Sequence, residues 1–574
     1  MQLPGVRLAR TYRKAWVRGD VVAGLVLCAL LVPQGLAYAQ LAGLPAVTGL
    51  YTTVLALLAY ALFGPSPTLV LGPDSALGPL IAAALLPLVV AHQDPTEAVA
   101  LASMLALLIG AMCVVAGFAR LGVVAELLSK PVRVGFLNGI AVIVLVGQLP
   151  KLFGFGTSAQ GFVDELDAFV SGLGAGDTVP ASLALGLGSL AVILVFRRWL
   201  PKVPGVLVAV VGAALVVSAF DLTAHGVSVV GAIPSGFPGP TIPDVSLAEA
   251  TKLVVAAAGI AFVVLADTAA LSRSLAARRG EHVDANAEIR ALGAANAAAG
   301  LFQGFPVSAS ASRTIVAESA GARTQVTGVV GALAVLVILL VESDLGTYIA
   351  SSTLAAIIIA AALTLFDFES LRWLWKVRRS ELWLSLVALA GVAILGALAG
   401  ILVAIVLSLG DFVRRAWRPY DAVLGRIDGT KGYHDIDRHP DARQIPGLVL
   451  YRFDAPIFFA NAELFADRLL RAIRARDEPT RWVILAAEPI TDIDTTGAEI
   501  LSELLDDLDA QGIEVALAEL KGPVKDRLHS YGLSSRIGDD RIYPTLGTAI
   551  NGYLAATGTE WVDWSEADPD DSEP

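Results

Sequence analysis

The sequence predicts a polytopic α-helical membrane protein followed by a small α/β domain. Three observations carry this. Of the 574 residues, 55% are hydrophobic and only 16% charged, with a mean hydropathy of +0.68, whereas soluble domains carry about 25% charged residues. Apolar runs long enough to approach the roughly 20 residues of a bilayer crossing recur from residue 20 to residue 413. The charge is also split. Residues 1–420 hold 26 Lys and Arg against 23 Asp and Glu, and residues 421–574 hold 15 against 30. The expected organisation is a membrane domain over 1–420, an α/β domain over 421–558 and an acidic, disordered tail over 559–574.

Spans are expected near 20–38, 46–63, 75–91, 97–118, 131–149, 182–198, 203–220, 250–272, 286–302, 312–321, 324–341, 346–365, 381–396 and 398–413. Basic clusters fall at the N-terminus, at Arg120/Lys130/Arg133, Arg197/Arg198/Lys202, Arg273/Arg278/Arg279, Arg372/Lys376/Arg378/Arg379 and Arg414/Arg415/Arg418. Acidic or uncharged loops alternate with them, among them His92–Glu97 and Glu342/Asp344. Fourteen crossings put every basic cluster on one face, which the positive-inside rule makes cytoplasmic together with both termini. Ala37-Tyr38-Ala39 imitates a signal-peptidase site after the first apolar run. Cys28 and Cys113 both sit inside apolar runs and give no disulfide framework.

Two segments depart from ordinary spans. Residues 63–75 carry three prolines and two glycines just before the third span, and Gly304–Arg313 opens a tenth span of only about ten helical residues, half a bilayer. In a seven-plus-seven inverted repeat these are the same element of each half, and paired Gly/Pro-interrupted segments point to a midplane binding site. Their half-helix N-termini face each other, and two such ends attract an anion; the alternative is that Pro and Gly merely kink two structural helices.

Beyond Arg418 the pattern turns soluble. Gly447–Ala460, Arg481–Ala487 and Ile513–Leu520 read as strands, and helices are expected at 462–476, 497–511 and 522–532. A net charge of −12 argues against nucleic acid. Walker motifs, zinc clusters and nucleophile triads are absent from the sequence. His92, His225, His282, His434, His439 and His529 occur singly. The expectation is therefore no enzyme and no cofactor.

Leu31-Val-Pro-Gln-Gly-Leu-Ala-Tyr-Ala-Gln-Leu-Ala-Gly-Leu-Pro-Ala-Val-Thr-Gly-Leu-Tyr51 resembles the signature of the SulP anion permeases, solute-carrier family 26. Asn296 to Gly328, with Ser312-Arg313-Thr314, Glu318-Ser-Ala-Gly321 and Arg323-Thr324, resembles that family's tenth-span region. The tail resembles its STAS domain, and the likeness covers about residues 10–555. It also assigns Ala37-Tyr38-Ala39 to the first span and not to a cleavage site. The resemblance implies a core domain of spans 1–4 and 8–11 moving against a gate domain of spans 5–7 and 12–14, within a homodimer in the bilayer. It implies substrates among sulfate, bicarbonate, chloride, oxalate and dicarboxylates.

Gln34 and Tyr38 share one helix face and match family positions that line the substrate site. Plain packing for Tyr38, and capping of the backbone freed by Pro33 for Gln34, are the alternatives. Ser75 and Ala76 open the third span and Ala311 and Ser312 the tenth, where small residues let an anion reach backbone N–H groups. Arg313 either supplies positive charge or braces the fold. Asp74 is expected as an N-cap, with a coupling role as the alternative.

Asp267 is the only ionisable group in Val254–Leu271 and marks a functional carboxyl. The family places a coupling acid at this point. Leu271, one turn on, offers no oxygen for a sodium cage, so a proton is expected as the coupling ion, with sodium as the alternative; a structural partnership with Arg273 is the plainer explanation. Thr496, in Asp492-Ile-Asp-Thr-Thr-Gly497, matches a regulatory phosphosite, although Asp494 or Thr495 acting simply as an N-cap is favoured there.

The expected function is proton-coupled symport of a small anion in the plasma membrane by an elevator-like motion. Sulfate or bicarbonate leads and a dicarboxylate is possible. The alternatives are an uncoupled anion channel, a sodium-coupled bicarbonate symporter, or a membrane anchor whose STAS domain binds a cytoplasmic regulatory partner.

Overall fold

A computed structural model describes residues 3–89, 95–120, 129–157, 162–200, 203–232, 234–280, 283–341, 345–428 and 430–561. The acidic tail beyond 561, the Glu342/Asp344 loop, Lys202, His92 and His282 lie outside the described residues. The chain divides into two compact units, Met1–Leu409 and Gly410–Pro574.

The first unit is helical: α1 (Pro4–Thr11), α2 (Val17–Leu41), α3 (Ala46–Phe63), α4 (Gly78–Val89), α5 (Pro95–Phe118), α6 (Lys130–Phe153), α7 (Phe162–Ala175), α8 (Pro180–Trp199), α9 (Gly205–Ala219), α10 (Leu247–Arg279), α11 (Ala285–Leu301), α12 (Ala311–Ser319), α13 (Val326–Val341), α14 (Ser351–Leu365), α15 (Phe368–Val377), α16 (Arg379–Leu395) and the greater part of α17 (Ala397–Trp417), which continues past Leu409. Each predicted span coincides with one of these helices. Helices α1, α7 and α15 have no predicted counterpart, because charges such as Asp164 and Glu165 in α7, or Arg372 and Lys376 in α15, interrupt their apolar positions. By length and composition, seven helical segments among the described residues can cross a bilayer unaided. Helices α4 and α12, with 12 and 9 residues, are too short.

Lipid provides no hydrophobic drive between helices, so close approach at small residues replaces it. A Cβ on Gly49 of α3 would stand 1.9 Å from the carbonyl oxygen of Gly35 in α2. Gly110 of α5 and Gly293 of α11 meet in the same way, and a Cβ on Gly135 of α6 would lie 2.0 Å from the Ser385 carbonyl oxygen of α16. Gly35 and Gly49 of the first-span motif thus serve a backbone-to-backbone crossing.

One buried carboxylate joins distant parts of this unit. Asp20 of α2 accepts from the backbone N–H groups of Arg323 (2.7 Å) and Thr324 (3.0 Å). It also accepts from the hydroxyls of Thr324 (2.7 Å), Thr327 (3.0 Å) and Tyr12 (3.0 Å). Five donors offset the cost of burying that charge.

The second unit carries β3 (Asp421–Arg426), β4 (Tyr433–Asp435), β5 (Leu448–Phe453), β6 (Trp482–Ala486), β7 (Glu514–Ala518) and β8 (Ile542–Tyr543), numbered after two short strands of the first unit described below. Their order is β4-β3-β5-β6-β7-β8, antiparallel up to β5 and parallel beyond it. Alternation along β5 serves both faces. Val449, Tyr451 and Phe453 join Phe465 and Leu469 of α18 (Ala462–Arg474) and Leu501 of α19 (Thr495–Ala510), while Leu448 and Leu450 join Trp482 and Tyr553. The predicted strand Gly447–Ala460 ends at Phe453, just ahead of Pro456, which has no N–H for a ladder. Strands β3, β4 and β8 were not anticipated; β4 and β8 are three and two residues long.

The α2–α3 crossing generates a prediction. Gly49→Val overpacks it and is expected to cost about 1–3 kcal/mol, seen as a lower melting midpoint of the purified protein in detergent. Gly212→Val on α9, where nothing lies within 4 Å of the added Cβ, should leave the midpoint nearly unchanged. Equal midpoints for the two variants would contradict the crossing.

Candidate functional site

The two interrupted segments pair with each other. Strand β1 (Leu71–Gly72) runs antiparallel to β2 (Ser308–Ala309), with Leu71 opposite Ala309 and Gly72 opposite Ser308. Ser310 N–H donates to the Val70 carbonyl (3.0 Å), and Val70 N–H to Thr314 Oγ1 (3.1 Å). Buried side chains satisfy the flanking backbone. Asn296 of α11 bonds both the N–H and the carbonyl of Val307 (2.9 and 3.2 Å), Thr52 Oγ1 accepts from Phe305 N–H (3.1 Å), and Gln325 donates to the Ser66 and Leu69 carbonyls. Non-helical backbone inside an apolar bundle requires such partners. Helices α4 and α12 leave opposite ends of this two-residue ladder.

The two helix starts differ, whereas the sequence suggested equivalence. At α4, Asp74 Oδ1 accepts from Ala76 N–H (3.0 Å), and the Asp74 carbonyl accepts from Leu77 and Gly78. Asp74 thus caps the turn at 75–77 that leads into α4, four residues ahead of the helix whose N-cap it was expected to be, and Ser75 and Ala76 are buried. At α12, Ser310 occupies the N-cap position without making a side-chain cap bond. Ala311 and Ser312 are exposed there, so the first-turn N–H groups lack a side-chain acceptor. Ser310 and Ser312 hydroxyls lie 3.2 Å apart.

Arg313 is only 1% exposed. Its Nη2 lies 3.4 Å from the Gly72 carbonyl oxygen and 3.5 Å from Asp74 Oδ2, while Nη1 is buried without a hydrogen-bond partner. A Cβ on Gly72 would stand 2.7 Å from that nitrogen, so glycine is required for the guanidinium to reach the ladder. Arg313 therefore braces the crossover and keeps one donor unused. Tyr38 is buried, meets the Ser75 side chain and lies in the field of Asp74 and Arg313. Gln34, one turn before it, is half-buried and makes no hydrogen bond to another described residue, so it does not cap backbone freed by Pro33.

Asp267 sits in α10, which packs against β2 and α4. Its electrostatic neighbours include Arg133 of α6 and Asp74. The Thr268 hydroxyl beside it in sequence is buried without a partner. In the second unit, Asp494 caps α19 through Gly497 N–H (2.7 Å), and Thr496 in the first turn is exposed. Sequence reasoning missed Asp20, Gly72 and Arg133 as parts of this architecture. A lone acid at the head of an apolar run was the available signal for Asp20, and Arg133 was hidden within a basic cluster that topology alone explained.

Comparisons with known proteins agree on the family. A model described as the sulfate permease family matches residues 17–388, and a STAS domain model matches 439–549. The chain is 41% identical over 550 residues to a probable sulfate transporter of Mycobacterium tuberculosis, covering 96% of this chain and 98% of that one. It is 30% identical to high affinity sulfate transporter 2 of Stylosanthes hamata, covering 96% and 86%. Among solved structures it is similar to the murine solute carrier 26 family member A9 anion transporter in the inward-facing state (TM-score 0.87, 23% identity, 96% and 94% covered). The transmembrane domain of a cyanobacterial bicarbonate transporter aligns with a TM-score of 0.61 at 23% identity, covering 69% and 98%.

Asp74 offers a direct test of the site's electrostatics. Asn caps a helix as well as Asp does but removes the negative charge beside Arg313. Asp74→Asn is expected to stay folded and to bind a small divalent oxyanion about tenfold more tightly, measured by calorimetric titration. Weaker binding by a folded Asp74→Asn protein would place no anion near this end.

Proposed function

The chain belongs to the sulfate permease family, a multi-pass membrane transporter family and not an enzyme family, and from that premise we propose that it is a secondary active transporter of a small oxyanion. Sulfate leads, in keeping with the names of the relatives; bicarbonate comes next and a dicarboxylate is the third candidate. One observation carries the proposed site: Arg313, buried with an unpartnered nitrogen beside the uncapped start of α12. An oxyanion there would accept from the first-turn N–H groups and from the Ser312 hydroxyl, with Ala311 leaving room for its approach. Tyr38, Gln34, Ser75 and Ala76 would form the opposite wall.

In this proposal the domains are a transport domain over 1–420, a cytoplasmic STAS domain over 421–558 and an acidic tail over 559–574. The transport domain is a seven-plus-seven inverted repeat in a homodimer of the plasma membrane, with both termini cytoplasmic. The core helices α2–α5 and α10–α13 carry the site past a gate in an elevator-like motion. Asp267 carries the coupling proton. Its electrostatic coupling to Arg133 and Asp74 supports a role for its charge state in transport, and Leu271 one turn on disfavours sodium. An uncoupled channel would have no use for this carboxyl. The STAS domain would receive a regulatory partner or phosphorylation at Thr496.

Uptake of radiolabelled sulfate and bicarbonate into proteoliposomes, with and without an inward proton gradient, tests the function. Proton-driven accumulation is expected from the wild type. Ser312→Leu should abolish anion binding in a folded protein, because its bulk covers the N–H groups, and wild-type affinity in that variant would remove the site. Asp267→Asn should retain counterflow while losing proton-driven accumulation. Undiminished accumulation would end the proton-carrier role, and accumulation that requires sodium and ignores pH would reassign the acid.

A further inference from the structure

Helix α15 is short, charged and rimmed with aromatic side chains that the described residues leave half or more exposed. At 3.6 residues per turn, Leu371 and Leu374 form its inner face, Leu374 being fully buried, while Glu369, Arg372 and Lys376 form the opposite stripe. The aromatic residues occupy the flanks, Phe368 and Trp375 on one side and Trp373 on the other, and each exposes half or more of its surface. Trp383 of α16 is similarly exposed. A basic outer stripe with tryptophans at its sides suits a helix lying in the plane of a membrane interface.

We infer that α15 and the start of α16 form a docking surface for the head groups of anionic phospholipids. Charge complementarity selects this occupant. Asp367 is consumed by capping α15 through Ser370 N–H (2.8 Å), and Glu381 pairs with Arg378 (3.1 Å). Arg372, Lys376 and Arg379 have no acidic partner among the described residues, leaving only Glu369 to oppose them. Lys130 of α6 adds a further cation, 5.1 Å from the Trp373 ring, and Arg379 lies 5.3 Å from the Trp375 ring. Each of these two cations rests on an indole that reaches the same surface, so one bound phosphate meets charge held in place by a ring. The surface is also tied to the bundle: Asp367 N–H donates to Asn138 of α6 (2.9 Å), a fully buried residue. Head groups gathered at α15 thus bear on α6, the helix that carries Arg133.

The test uses the full chain in nanodiscs of phosphatidylcholine containing a minor fraction of brominated phosphatidylglycerol or of brominated phosphatidylcholine. Tryptophan fluorescence is compared with that of Trp373→Phe/Trp375→Phe, which isolates the contribution of α15. Brominated phosphatidylglycerol is expected to quench that contribution more strongly, and high salt should erase the difference in the unsubstituted protein. Arg372→Gln/Lys376→Gln should weaken the preference about fivefold per charge removed. Equal quenching by the two lipids, or a preference insensitive to both salt and the substitutions, would overturn the proposal. So would absence of quenching by either lipid, which would mean that protein, such as a second copy of the chain, covers the face.

Discussion

The membrane unit is organised by a requirement that lipid imposes on backbone: a peptide group away from water must find its hydrogen bond within the protein. Two stretches of this chain abandon the helix inside the bundle, and each meets that requirement through the other. Strands β1 and β2 exchange ladder bonds over two residues, and Asn296, Thr52, Thr314 and Gln325 take up the groups on either side. Because the ladder is so short, both helices that leave it begin close to the crossover. Their brevity follows from starting inside the bundle and not at its surface.

The same crossover makes the two ends chemically unequal. Asp74 uses its own carboxylate and carbonyl to quiet the start of α4, whereas the start of α12 has no such cap. Arg313 arises from the second end and reaches across to Gly72 and Asp74. The backbone N–H groups without a side-chain cap therefore lie at the α12 end, where Ala311 and Ser312 are exposed. A symmetric sequence pattern has produced an asymmetric site, and the difference rests on a carboxylate at position 74 against a serine that does not cap at position 310.

Much of this was legible before any coordinates. Hydropathy and basic clusters located every long helix of the membrane unit, because lipid enforces apolar runs with little regard for tertiary detail. The Gly/Pro segments at 63–75 and 304–313 marked the irregular backbone, whereas Asp74 caps the turn that leads into α4 and not the helix itself. The ladder itself was not legible, since two residues leave no periodicity to detect. Nor was the uncapped state of α12, because Ser310 is a residue type that ordinarily caps. Helices α7 and α15 were missed since amphipathic segments lying against a bundle are too polar for a hydropathy window. Asp267 stood out alone in its span, but its electrostatic link to Arg133 of α6 leaves no trace in sequence spacing.

The Asp20 clamp bears on the order in which the chain becomes a protein. Four of its five donors lie 303 to 307 residues downstream. At a synthesis rate of about 5–20 residues per second, the carboxylate of the earliest long helix waits about 15–60 s for them. During that interval α2 can be in place only with its acidic end still in water or held by the insertion machinery. The clamp on α2 therefore closes only after more than half of the chain has been made, although Asp20 is among the first residues synthesised. A ribosome that stalls before Arg323 leaves α2 able to cross α3 at Gly35 and Gly49 but with the Asp20 carboxylate lacking four of its five donors.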